Sequence, residues 1–403
     1  MLMRIVRKRR RWPYILSVIV LLATYTAWCL LRPLPKLQAI PINPKPIPAH
    51  PTALAWPGGG QAAVGIVNSP ILESHGAKTP LPTASTAKLI TALTVLQRKP
   101  MANGQTGPAL TLGSQDVNLY SYYVGHGGSV VPVINGEKIT EYQALQAILL
   151  PSANNMADSL AIWAFGSMPA YTAAAQSYLA AHGLKDTQIG SDASGYAPTT
   201  TSTARDLLRI GELAMQNSVI SRIVSQPTAT LPIANAVKNV NWLLGTANIV
   251  GVKTGNTDQA GGVFVAASRI TINQKPLTVV TAVLGAPTLV AAMKDTLALM
   301  QSAQVNFPTV NLVQAGQKAG QYSTAWQSPL PALATAKLSL QVWNGNSWTI
   351  TDELKPLPAT QTSSAAGSVN TTVNGLSHQY KVPLQLQNRL QPPSKWWRLK
   401  HPF

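Results

Sequence analysis

The sequence predicts an α+β domain, in which helices cover an antiparallel sheet. A small all-β domain follows it, and one helix apolar enough to span a membrane precedes it. Three observations lead there. Residues 14–31 form an uncharged apolar run directly behind a basic cluster. From about residue 62 to 303, two short apolar strands, a block of helical periodicity, three further strands and a closing helix follow one another. Beyond Phe307 the helical period is lost, and apolar and polar residues alternate between Gly, Asn and Pro turns.

Arg4, Arg7, Lys8, Arg9, Arg10 and Arg11 precede Tyr14–Leu31, which reaches the length of a transmembrane helix. Basic residues on that side place the N-terminus in the cytoplasm and the rest outside. A membrane anchor is favoured over a cleaved signal peptide: no small-x-small cleavage site follows, and Trp28 before Cys29 spoils a lipoprotein acceptor. Eight prolines between Pro33 and Pro57 read as a semi-rigid spacer.

Ala63–Val67 and the stretch ending at Glu73 read as strands. Ser85 opens a helix with Leu89, Leu93 and Leu96 on one face. Helices are expected at Tyr142–Leu150 (stopped by Pro151), Asn154–Phe165, Tyr171–Ala181 and Ala204–Met215, the last capped from Thr201, Ser202 and Thr203. Strands at Ile249–Lys253, Gly262–Ile270 and Leu277–Leu284 lead into a helix at Leu289–Ala303. Lys337–Trp343, Trp348–Asp352 and Tyr380–Leu386 are strands of the β domain, and Gln317–Trp326 and Ser364–Val373 read as related hairpins. Trp396 and Trp397 stand among cations at the end, where they suit either a headgroup interface or a domain edge. The organisation expected is a basic tip and membrane anchor (or signal peptide) at 1–32, a Pro-rich linker at 33–57, the α+β domain at 58–307, the β domain at 308–393 and a Trp/basic tail at 394–403.

A chain of 403 residues with a formal charge of +18 could partner nucleic acid, but no arginine–aromatic recognition pattern accompanies the charge. A topogenic cluster plus an outer surface suited to an anionic membrane and wall is the better reading, and no nucleic acid is expected. The single cysteine, Cys29, excludes an internal disulfide. The six histidines are scattered without ligand spacing, so neither a metal nor another cofactor is expected.

The chemistry lies in three strings, in order: Ser85-Thr86-Ala87-Lys88, Ser152-Ala153-Asn154 and Lys253-Thr254-Gly255. There is no second S-x-x-K, K-T-G occurs once, and the other S-x-N (Ser368-Val369-Asn370) comes in the wrong order. Each string alone has a plain structural explanation: a serine N-cap with a solvated lysine, a capping loop, a strand-end turn. Together, each in a fitting local context, they describe an acyl-enzyme site with a serine nucleophile and lysine bases. Ser85 and Lys88, one turn apart, share a face. A desolvated lysine loses enough proton affinity to deprotonate the hydroxyl. Ser85 at a helix start also offers its N–H to an oxyanion. Ser152 relays a proton to the leaving group, while Asn154 holds substrate or orients Lys88. Lys253 is a second cation, Thr254 a group for a substrate carboxylate, and Gly255 a place where a substrate backbone can approach the strand closely.

The chain resembles the serine D-alanyl-D-alanine carboxypeptidases, the low-molecular-mass penicillin-binding proteins. The resemblance covers about Ala62–Ala303 and runs through Pro82–Leu93, Leu149–Asn155, Ser202–Leu207, Asn239–Leu244 and Gly251–Gly261. It implies a β-lactamase/DD-peptidase-like domain followed by that family's accessory β domain. It implies Ser85 as acylated nucleophile, Lys88 as base, and Ser152 and Lys253 as proton relay. Asn154 would line the cleft, and the N–H groups of Ser85 and Asn256 would form the oxyanion hole. The implied substrate is the peptidoglycan stem pentapeptide, which loses its terminal D-Ala, with β-lactams as inhibitors, at the outer face of a bacterial membrane. Two departures stand out. Asn256 occupies a place where relatives often have His. Val240 and Ala286-Pro287 stand where some relatives place arginines near the substrate carboxylate, so that Arg269 or another cation substitutes or the carboxylate is gripped less firmly. A class A β-lactamase ranks lower, since no glutamate occurs between Glu141 and Glu212, only the aspartates Asp158, Asp186, Asp192 and Asp206. A DD-endopeptidase would use the same site, and a non-catalytic peptidoglycan-binding protein is the reading from another class.

Overall fold

The computed structural model describes residues 11–43, 45, 53–360, 363–373 and 379–402. Most of the N-terminal basic cluster (Arg4–Arg10) and part of the proline-rich stretch lie outside the described residues. The chain divides into two compact units. One comprises His50–Pro308 and Trp343–Gly345, the other Met1–Ala49, Thr309–Val342 and Asn346–Phe403.

The second unit begins with α1 (Trp12–Leu31), 20 residues with mean hydropathy 2.0 over its best window, long and apolar enough to cross a bilayer. The chain then forms a strand, β1 (Gln38–Pro41), inside the stretch expected to be a semi-rigid spacer.

In the larger unit, β2 (Gln61–Ile66) and β3 (Leu72–Gly76) lead to a 3₁₀ turn at Ala84–Ala87. The helical block follows: α2 (Lys88–Arg98), α3 (Ser114–Gly125), α4 (Glu141–Leu149), α5 (Asn154–Phe165), α6 (Met168–Ala181), α7 (Ala204–Gln216) and α8 (Ser218–Val224). The chain returns as β4 (Ile249–Thr257), β5 (Gly261–Ile272) and β6 (Lys275–Ala286) and closes with α9 (Leu289–Val305). The expected antiparallel sheet is present, in the order β4-β5-β6-β2-β3. Asn273 and Gln274, both at positive φ (49° and 63°), make the two-residue turn that joins β5 to β6 with the twist a hairpin needs.

Strand alternation decides what covers each face. Ala62, Val64 and Ile66 of β2 and Phe264 of β5 bury against Met293, Leu299 and Met300 of α9. Ala63, Val263, Val265, Val280 and Ala282 point the other way, into a core shared with the helical block. Thr203 caps α7 through the Asp206 N–H, as its position predicts, and Thr140 with Gln143 forms a capping box at α4. Two helices, α3 and α8, were not legible in the periodicity: α3 buries only Tyr123 outright. The helix expected to open at Ser85 opens at Lys88 instead. Ala84, at φ 46°, turns the backbone, and Ser85 sits in the tighter 3₁₀ turn.

In the smaller unit, β7 (Thr309–Val313) pairs with β10 (Leu338–Gln341). Around them stand β8 (Lys318–Ser323), β9 (Leu330–Ala334), β11 (Trp348–Leu354), β12 (Ala365–Val373) and β13 (Gln379–Leu386). Its six-stranded sheet runs β1-β8-β9-β13-β12-β11, so the N-terminal strand is built into it. Leu37 is buried in this core, and the Asn43 N–H donates to Asp352 at 2.5 Å. A last helix, α10 (Lys395–Lys400), packs on α1: Tyr25 donates to the Leu399 carbonyl at 2.8 Å and Arg398 Nε to the Cys29 carbonyl at 3.2 Å. The paired tryptophans divide. Trp397 meets Trp326 edge-on at 5.6 Å, while Trp396 is 66% exposed with Lys400 over its ring.

Candidate active site

The 3₁₀ turn explains the spacing of the first string. In a 3₁₀ helix residues i and i+3 eclipse, so Ser85 and Lys88 line up. Lys88 Nζ lies 2.8 Å from Ser85 Oγ, 2.7 Å from Asn154 Oδ1 and 2.9 Å from the Ser194 carbonyl. A neutral amine has two hydrogens and one lone pair. Asn154 and Ser194 accept the hydrogens, which leaves the lone pair for the Ser85 proton. Burial pushes Lys88 down to about 7, against the pull of Asp192 and Asp158. The amine is therefore available as a base near neutral pH.

Ser152 follows Pro151 in the α4–α5 connection and is held at φ 69°, a conformation costly for a residue with a Cβ. That backbone aims its hydroxyl at Lys253 Nζ, 2.9 Å away. Lys253 also donates to the Thr254 carbonyl at 3.0 Å. It is fully buried, and burial, reinforced by the nearby Lys88, drives its proton affinity well below that of a free lysine. Asn154, the first residue of α5, is fixed by its own N–H on the Ser129 carbonyl (2.7 Å).

A cleft of about 460 Å³ opens above these groups, lined by Ser85, Ser152, Thr254, Gly255 and Asn256 and also by Ser129, Asn239, Val240, Trp242 and Leu289. All eight sequence-derived site residues thus come together: five line the cleft, while Lys88 is buried against Ser85, Lys253 against Ser152 and Asn154 against Lys88. Gly255 has a reason beyond the one expected. A Cβ there would lie 3.0 Å from Ser85 N and from Ala84 Cβ, and 3.1 Å from the Thr83 carbonyl. The glycine lets β4 press against the nucleophile's own turn. Arg269 does not serve the cleft: it donates to Ser221 at 3.2 Å and stands seven residues along β5 from Gly262, the partner of Asn256, roughly 23 Å away at strand rise. None of the residues lining the cleft is charged.

Sequence reasoning missed Ser194, Tyr123 and the roles of Asp158 and Asp192. Asp192-Ala193-Ser194-Gly195 carries turn chemistry, since the Asp192 carboxylate accepts the N–H groups of Ser194, Tyr196 and Ala197. Nothing in the string itself tells that the turn delivers a carbonyl to Lys88. The two glutamates that bound the glutamate-free stretch stay out of the cleft: Glu212 is buried beside Arg209, and Glu141 begins α4.

Residues 63–288 match the D-alanyl-D-alanine carboxypeptidase family, peptidase S11. The chain is 28% identical over 244 residues to the D-alanyl-D-alanine carboxypeptidase DacA of Escherichia coli, covering 58% of each chain. It is 28% identical over 249 residues to a D-alanyl-D-alanine endopeptidase of Pseudomonas aeruginosa, covering 60% of this chain and 76% of that one. The match thus spans less than two thirds of DacA. Penicillin binding protein 5 of Haemophilus influenzae superposes over 85% of this chain and 99% of its own with a TM-score of 0.58; at 21% identity this is a likeness of fold.

Proposed function

This chain belongs to the D-alanyl-D-alanine carboxypeptidase family, and from that premise we propose that it removes the terminal D-Ala from peptidoglycan stem pentapeptides through an acyl-enzyme on Ser85. The observation that carries the reading is the three-way placement of Lys88 Nζ, two acceptors for its hydrogens and the Ser85 hydroxyl for its lone pair. Ser85 Oγ attacks the carbonyl between the two D-Ala residues as Lys88 takes its proton. The oxyanion is assigned to the N–H groups of Ser85 and Asn256, a reading supported by the close approach of Gly255 to the Ser85 backbone nitrogen. The departing D-Ala amine takes its proton from the Ser152–Lys253 pair, and water then releases the shortened peptide. The cleft rim offers no cation, so the substrate carboxylate meets the Thr254 and Ser152 hydroxyls with the charge of Lys253 behind them. β-Lactams would acylate the same serine. The helix α1 suits a single membrane anchor with the site outside the cell, within reach of the wall.

Incubating the full chain with a pentapeptide stem tests this. Free D-Ala is expected from the wild type and none from Ser85→Ala, which also fails to take up a fluorescent penicillin. An unlabelled wild type that releases no D-Ala would leave the non-catalytic wall-binding reading in its place. A second reading, endopeptidase cleavage of cross-links, is favoured by the likeness to the Pseudomonas enzyme and by the open, uncharged cleft. Cross-linked stem dimers in the same assay decide between the two.

A further inference from the structure

The carbonyl that receives Lys88 belongs to a backbone turn whose two preceding peptides are held from several directions. The Ala193 N–H donates to Asp158 Oδ1 (2.9 Å), and the Ala193 carbonyl accepts from Thr91 Oγ1 (2.6 Å). The Ser194 N–H donates to Asp192 Oδ1 (2.8 Å). Tyr123 of α3 donates to the other Asp158 oxygen at 2.7 Å and lies 3.4 Å from Ser194 Oγ. Asp158 is buried, one turn beyond Asn154 on α5. The helix thus reaches Lys88 twice, directly through Asn154 and indirectly through Asp158, Ala193 and Ser194.

We infer that Asp158, clamped by Tyr123, is a positioning residue for the catalytic base: through the Ala193 N–H it holds the Asp192–Ser194 turn so that the Ser194 carbonyl meets Lys88 Nζ, and it places a negative charge beside that amine. The inference deepens the acyl-enzyme reading above and rests on it. Hydrogen bonding alone does not require a carboxylate here. A neutral amide of the same shape would accept from Ala193 and pair with Tyr123, at a much smaller burial cost. What the amide lacks is the charge. The groups around Asp158 are Lys88 from α2, Tyr123 from α3, Tyr171 from α6 and Asp192 from the turn; the one acid of α4, Glu141, begins that helix at the end away from the α4–α5 connection. Burial raises Asp158 itself to about 6, so it is ionised at neutral pH. Its field there favours protonated Lys88, opposing the desolvation that lowers it.

The test is the rate of acylation of the full-length protein by a fluorescent penicillin, followed across pH. Asp158→Asn keeps the shape and removes the charge, and it is expected to move the rising limb to lower pH by roughly 0.5–1 unit. Asp158→Ala, which also frees the peptide, is expected to slow acylation about tenfold or more at every pH. Tyr123→Phe retains the carboxylate and is expected to slow acylation a few-fold, and it keeps the question open to test if both Asp158 variants fail to fold. A limb unmoved in Asp158→Asn, whether the rate falls or not, overturns the electrostatic part and leaves Asp158 a structural residue. Rates within twofold of wild type in Asp158→Ala or Tyr123→Phe overturn the positioning. Either result with a normally labelled wild type leaves the acyl-enzyme reading standing, whereas an unlabelled wild type overturns both.

Discussion

Burial strips two lysines of much of their proton affinity. Lys88 and Lys253 are almost wholly buried, and desolvation is the leading cause of the fall in both. The sign of the pH dependence follows. Below about 7, Lys88 is protonated and cannot take the Ser85 proton; above it, the amine is free. Acylation is therefore expected to rise through a midpoint near 7, and a stopped-flow β-lactam titration across pH checks this. A flat profile would show that Lys88 is not the base. Ser85, Lys88, Ser152 and Lys253 were legible in the sequence because their types and order admit one chemistry. Asp158 was visible only as one of four aspartates in a stretch without glutamate, since its partners Tyr123 and Ala193 come from an unforeseen helix and a distant turn.

Single elements of secondary structure carry the precision of the site. The 3₁₀ turn at Ala84–Ala87 delays the helix by one turn and eclipses Ser85 with Lys88, and β4 closes on that turn at a glycine. Gly255→Ala would force a Cβ to within 3.0 Å of Ser85 N. It is expected to lower acylation about tenfold or more while the thermal unfolding midpoint changes little, because strand and turn separate by a few tenths of an ångström at the reacting atoms. Unchanged acylation would show that this approach is not tight. Periodicity located α2, α4, α5, α6, α7 and α9 within a few residues, because each buries a continuous apolar stripe. It could not locate α3, whose buried side is little more than Tyr123, or the backbone turns at Ala84 and Ser152, which local composition does not demand.

At the scale of the molecule, the N-terminal segment is more than a tether. It supplies the edge strand β1, a core leucine and the helix on which α10 packs. Leu37→Ala is expected to destabilise the smaller unit by roughly 2–4 kcal/mol in denaturant unfolding. Mass analysis of the membrane-extracted protein should find residues 12–31 retained, since their loss would strip α10 of its partners. A mature chain beginning after Leu31 would refute this.

The sequence by itself determined the family and the class of fold. A nucleophile and its base on one local turn, the ordered motifs and the alternation of the strands are short-range facts, and short-range facts survive in a string. Only the tertiary structure decided that Gly255 serves the Ser85 turn, that Arg269 stands at the far end of its strand, that the proline-rich stretch enters a sheet, and that Asp158 reaches Lys88 through a backbone turn. Each of these depends on which distant segments meet. Hydrophobic burial selects those meetings through the whole core, and no local spacing records them.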